Sequence, residues 1–198
     1  MRATLTPMAD VPTVLISGTI GSGKTAVAAE LGHLLEEGGV PCALIDLDWL
    51  CWLHPSPDPN RLDELMAQNL AAIWPSFVAA GARAFVLTRA IQRQSTLKAL
   101  REALPHASLT VVRLAASQSL IEQRLRQRDT GKELEEHLHQ SQRFAAAMEE
   151  AKLEDATVMN DGLSIRAVAE GVLRAWPSLA NPRLVKPLLG VLHDDVAE

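Results

Sequence analysis

The chain has no tyrosine, only two cysteines, and no apolar run approaching the ~18–20 residues that a membrane span requires. Cys42 and Cys51 are too few and too badly spaced for a disulfide framework or a metal knuckle, and are expected to pack as small hydrophobes. The start of the chain, MRATLTPMADVPT, lacks the long apolar stretch of a secretory leader, so a reducing cytoplasm is expected and no membrane contact. Positive charge is also short. Lys and Arg number 19 against 24 Asp and Glu, a net −5 that counts against a broad nucleic-acid partner. There is no internal repeat and no low-complexity tract. What remains is 198 residues, 47% apolar and 22% charged, the composition of one globular domain with a sizeable core.

The charge is unevenly spread. Residues 81–130 carry nine Lys/Arg and three Asp/Glu, whereas residues 131–160 carry three and seven. A basic middle in an acidic chain suggests a confined anion site, or else chance patterning on solvated helices.

Short β-branched runs alternate with helical ones. The runs at 11–17, 42–47, 84–88, 109–114 and 156–159 read as strands. Helical patterns cover 24–37, 61–80, a short piece near 96–104, 117–128, 132–152 and 164–176, with Gly38-Gly39 as a stop signal. Pro75 is expected to kink or restart the second helix, and Asn60 is a candidate cap for it. Five strands joined by helices predict a three-layer α/β sandwich around a parallel sheet, because parallel strands need crossovers and burial on both faces. Residues 1–176 form the expected domain. The proline-containing tail 177–198 leaves packing over the domain and homodimerisation both open.

The strongest chemical signal is Gly18-Thr19-Ile20-Gly21-Ser22-Gly23-Lys24-Thr25, a complete G-x-x-x-x-G-K-T phosphate loop between a strand and a helix. Its glycines let successive backbone N–H groups turn around an anion at the positive end of the helix that continues through Ala26. Lys24 is placed to reach β- and γ-phosphates, and the Thr25 hydroxyl to hold Mg²⁺. No N/T-K-x-D guanine-reading motif accompanies it, and the third strand ends in Thr88-Arg89 rather than the Asp-Glu of a motor ATPase. Asp46 and Asp48 instead end the second strand two residues apart. A strand persisting through Asp48 would put both carboxylates on one face, Asp46 toward the metal and Asp48 as base for an acceptor hydroxyl. The loop-capping role of an Asp before a turn is the alternative for each.

Further along, Arg124, Arg126 and Arg128 crowd one helix end before Asp129-Thr130-Gly131-Lys132, and Arg124 and Arg128 share a face. Such cations suit a transferred phosphoryl group, although they also suit the negative end of a helix. Together, GTIGSGKT, the Asp-x-Asp of the second strand, RDTGKEL and the closing Asn160-Asp161-Gly162 resemble the adenylylsulfate kinase-like family of phosphate-loop kinases, of which gluconate kinases and chloramphenicol phosphotransferases are relatives. The resemblance spans about residues 12–175. It implies a five-stranded parallel sheet with the loop strand central, ATP·Mg²⁺ as donor, and a lid over about 124–140. It also implies Asp48 as the second Asp of the family's D-G-D, Arg128 as its lid arginine, and Asn160 on the adenine side. The acceptor side departs from that family, since Trp49-Leu50-Cys51-Trp52 follows Asp48 and the sulfonucleotide-holding elements have no match.

Trp49 and Trp52 are candidates for a pocket holding a ring, with Trp74 the better core residue. Arg89 and Arg93 lie just past the third strand, at the edge where open α/β sheets bind ligands, and are candidates for reading an acidic or hydrogen-bonding acceptor. His54, in the proline-rich loop, is expected to be solvated. The reading that follows is an ATP-dependent phosphotransferase for a small-molecule hydroxyl, with Lys24, Asp48 and Arg128 catalytic. Its rival is a nucleotide-binding switch or partner protein that keeps the loop and transfers little.

Overall fold

β-branched and apolar residues run uninterrupted through Val14–Ile16, Ala84–Leu87 and Val111–Val112, and these segments are buried on both faces. They are the middle of a sheet in a computed structural model that describes residues 10–180 other than 57, 59 and 60. Its strands are β1 (Val11–Ser17), β2 (Cys42–Asp46), β3 (Ala84–Thr88), β4 (Ala107–Ala115) and β5 (Ala156–Met159), all parallel in the order β2-β3-β1-β4-β5. The helices are α1 (Lys24–Glu37), α2 (Leu62–Ala79), α3 (Gln94–Ala103), α4 (Gln118–Arg128), α5 (Gly131–Ala151) and α6 (Ile165–Arg174). This is the three-layer α/β fold with a five-stranded parallel sheet that the alternation of strands and helices predicts.

Period-2 alternation sorts the side chains of each strand into two cores. Val14, Ile16, Val86, Val112 and Leu114 pack with α1 and α6. Leu15, Phe85, Leu87 and Val111 pack on the opposite face with α2 and α3. Trp74 belongs there, stacked on Phe85 with ring centroids 3.6 Å apart. Trp176 and Leu179 extend the first core into a short 3-10 turn, Pro177–Ala180, and the Ser178 hydroxyl donates to the Ser108 carbonyl. The beginning of the tail therefore packs on the domain; the rest of it lies outside the described residues.

Several local expectations change. α2 is one helix that includes Pro75, so it does not restart there. Asn60 lies outside the described residues, and the residue before α2 is Arg61, which makes no side-chain cap. β2 stops at Asp46 rather than persisting to Asp48, so the two carboxylates do not share a strand face. Asp48 has helical backbone angles and opens a 3-10 turn, Trp49–Cys51, and its N–H donates to Asp46 Oδ1 at 3.0 Å. An aspartate accepting from the backbone two residues on offers the chain a turn in place of the next ladder bond, which is why the strand ends there. Ser117 and Ser164 cap α4 and α6 by accepting from Leu120 N and Ala167 N. Among the described residues no helix is long and apolar enough to cross a membrane.

Candidate functional site

β1 lies between β3 and β4, and the chain leaves it for β2 on one side before returning to β4 on the other. The loop after β1 thus sits at the carboxyl edge of the sheet, near the point where strand order reverses. Glycine is required there for steric reasons. Gly18, Gly21 and Gly23 have φ of 149°, 81° and 93°. A Cβ on Gly18 would lie 2.8 Å from the Leu114 carbonyl, and one on Gly23 would lie 3.0 Å from the Asn160 amide.

The carbonyls of this loop are all turned toward donors. Lys24 Nζ donates to the Gly18 and Thr19 carbonyls at 3.1 and 2.9 Å. The Ser141 hydroxyl, fully buried on α5, donates to Ile20 O. Arg124 donates to Gly21 O and Ser22 O, and the buried Asn160 amide donates to Ser22 O at 2.7 Å. Arg124 also reaches the Asn160 carbonyl and side-chain oxygens, locking α4 to the end of β5. Gly23 O accepts from Val27 N inside α1. The Ser22 N–H donates to Thr19 O within the loop, and α1 begins with no side-chain cap on its first N–H groups. A glycine-rich turn leading into uncapped N–H groups at the positive end of a helix dipole is an arrangement that can take a phosphate.

Thr25 is exposed at the first turn of α1, and Asp46 is half-buried at the end of β2. A hydroxyl and a carboxylate are hard oxygen donors of the kind Mg²⁺ takes, so the donor set fits that ion. Burial draws the half-buried Lys24 ammonium below the ordinary lysine value; Asp48 and Asp46 pull it back up, and Arg128 adds to the lowering. Lys24 therefore lies within electrostatic reach of Asp46, Asp48 and Arg128. Burial pushes the Asp48 carboxyl above its usual range and Asp46 adds to the rise, while Arg89 and Lys24 oppose it. More than half of the Asp48 side chain is nevertheless open to solvent.

Arg89 occupies the other side of Asp48. One amine lies 2.9 Å from Asp48 Oδ1 and 3.2 Å from Cys51 Sγ, and the other donates to Asp63 Oδ1 at 2.8 Å. Arg93 and Thr96 donate to the second oxygen of Asp63. Burial alone would raise Asp63, yet these hydrogen bonds and the arginine charges hold it below the ordinary carboxylate range. Asp63 was not picked out from the sequence; its one signal there is an acidic first turn on a helix that packs beside β3. The basic stretch 81–130 is consequently not an open anion site. Arg89 and Arg93 meet Asp63, Arg113 meets Glu149 and Glu154, and Arg128 meets Asp129. Only Arg124, in the cluster at the end of α4, is turned onto the loop, while Arg126 is exposed on another face.

Arg128 forms a two-point pair with the next residue, Nε to Asp129 Oδ1 at 2.6 Å and an amine to Oδ2 at 2.8 Å. His137 Nδ1 lies 2.8 Å from Oδ2. The Arg128 hydrogen bond, assisted by His137 and opposed by burial, takes the Asp129 carboxyl from 3.8 to about 2. A carboxyl with a depressed folded value stabilises the fold above its unfolded value of 3.8 and loses that contribution as pH falls toward 2. Asp129→Asn is therefore expected to lower the thermal midpoint near neutral pH and to make little difference near pH 2. Melting curves across the acid range measure this, and a constant gap at all pH values would deny the linkage.

Trp49 and Trp52, directly after Asp48, stack with centroids 5.1 Å apart and planes 17° from parallel. Each is 70% exposed. A cavity of about 340 Å³ lies beyond them, between the loop at Leu53 and Ser56 and the outer face of α2, and includes no phosphate-loop residue. His54 is exposed in that loop, as expected, and Cys51 is buried in the second core.

No protein-family model and no curated protein sequence matches the chain. Solved structures do. A sugar kinase from Janibacter sp. HTCC2649 is similar with a TM-score of 0.62 and 20% identity over 88% of this chain and 98% of its own. The APS kinase of Mycobacterium tuberculosis, in complex with AMPPNP and APS, gives 0.57 and 21% over 84% and 98%. A gluconokinase from Sinorhizobium meliloti 1021 gives 0.51 and 24% over 93% and 99%. The fold is the three-layer α/β fold of P-loop kinases.

Proposed function

We propose that the protein is an ATP-dependent phosphotransferase acting on a hydroxyl of a small molecule. The observation that carries this reading is Lys24, at the end of the glycine loop, within electrostatic reach of Asp48, a carboxylate that burial makes more basic and that solvent still reaches. The small-molecule kinases that share the fold support it.

In this reading the N–H groups of Gly18 to Ala26 hold the phosphates of ATP. Arg124 and Asn160 act on the nucleotide through the loop whose carbonyls they hold. Thr25 and Asp46 would hold Mg²⁺, which would supply positive charge to offset that of the phosphates. Lys24 exchanges its two loop carbonyls for phosphate oxygens. Asp48 takes the proton of the acceptor hydroxyl as the acceptor oxygen bonds to the γ-phosphorus. The bond from that phosphorus to the β–γ bridging oxygen breaks, and ADP leaves. Arg128, at the end of α4 and within electrostatic reach of Lys24, stabilises charge on the group in flight once it turns from Asp129.

The direct test is ADP release measured across a panel of hydroxylated small molecules. At least one acceptor is expected to accelerate turnover well above the rate with water alone. A nucleotide switch would bind ATP with the same loop and show no acceleration by any acceptor.

A further inference from the structure

Soluble proteins seldom leave two large apolar rings in the open, and here two stand side by side next to the proposed base. The neighbouring tryptophans behave differently: Trp74 and Trp176 are buried in the two cores. Trp49 and Trp52 are carried by the short turn that begins at Asp48, whose Cys51 is buried against Leu47 and Asp48 carbonyls and against Arg89. The Leu50 carbonyl accepts from Asn69 of α2 at 2.7 Å. The turn is thus tied at its centre while the rings at its two ends face solvent.

The polar wall beside them is neutral. Two arginines, Arg89 and Arg93, meet two aspartates, Asp48 and Asp63, and Arg89, 13% exposed, spends both amines on them. An anionic acceptor entering here would have to pull Arg89 from two carboxylates, leaving the half-buried Asp63 to Arg93 and Thr96. A ring stacked on tryptophan needs no such exchange.

From these two features, and resting on the phosphotransferase reading for the chemistry that follows binding, we infer that the acceptor is an uncharged alcohol bearing a flat apolar ring. The ring stacks on the Trp49–Trp52 pair, which directs the hydroxyl to Asp48. Arg89 and Arg93 fix the carboxylates and do not read a negative group on the acceptor.

Intrinsic tryptophan fluorescence tests this without ATP, because the solvent-facing pair emits apart from the buried Trp74 and Trp176. The titrants are phenyl β-glucoside, methyl β-glucoside and phenyl β-glucuronide, together with uncharged nucleosides as a second ring class. Ring-bearing uncharged titrants are expected to perturb the exposed emission and to bind about tenfold or more tightly than the ringless glucoside and the anionic glucuronide, the scale of one aromatic stack. That preference should vanish in Trp49→Ala/Trp52→Ala, while thermal melting and ATP binding are retained. The inference is overturned if the glucuronide binds best, if the ringless sugar binds equally well, if the double variant keeps the preference, or if no ring-bearing titrant perturbs the emission. Ring binding with no phosphoryl transfer to any titrant would sustain the stacking site and count against the kinase reading. Transfer that survives in the double variant would do the reverse.

Discussion

Asp48→Asn should lower acceptor-dependent phosphoryl transfer by about 10²–10⁴-fold, the range of general-base effects, and leave ATP affinity nearly unchanged. The amide has the size and shape of the carboxylate and still accepts a hydrogen bond from Arg89, so the turn at Trp49–Cys51 is retained. It cannot take a proton at neutral pH. Arg89 keeps Asp63 as its second partner, and the guanidinium stays in place. Lys24 loses one of the two carboxylates that sustain its charge but keeps Asp46 and its two loop carbonyls. Initial rates with the best acceptor, set beside a calorimetric ATP titration, separate the two effects. Full transfer by the variant would remove Asp48 from the chemistry.

Lys24→Ala is expected to act on binding and transfer together. Loss of a positioned cation aimed at developing charge costs about 10²–10³-fold in rate, and in the proposed function the same ammonium also binds the phosphates in the ground state. Its removal also leaves Asp46 and Asp48 facing incoming phosphates without an intervening positive charge, so affinity for ATP·Mg²⁺ should fall as well. The fold should persist. Lys24 is half-buried at the start of α1, and the remaining carbonyls of the loop before it are held by Ser141, Arg124 and Asn160. Calorimetry of the variant checks the affinity, and an unchanged value would remove Lys24 from the phosphate site.

The departures from the sequence reading have both local and long-range origins. Asp46 and Asp48 look like a strand tip because alternation predicts one face, but a side-chain oxygen competing for the next backbone N–H is a local event that alternation does not encode. Pro75 looks like a break, yet the core packing of Met66, Leu70 and Trp74 carries α2 through it. Arg89 and Arg93 look free for a ligand because Asp63, 26 residues before Arg89, gives no local sign of reaching them.

The sequence by itself determined what depends on near neighbours. Strand and helix periodicity specified five parallel strands with helices on both faces. The spacing of Gly18, Gly21, Gly23, Lys24 and Thr25 specified a phosphate loop, because glycine conformations and a helix start are set within eight residues. Tertiary structure decided everything that depends on partners far along the chain. It turned Arg124, Asn160 and Ser141 onto the loop carbonyls and closed Arg89 between Asp48 and Asp63. The physical reason is that a charge or a ring has no preferred partner until folding brings one within a few ångströms.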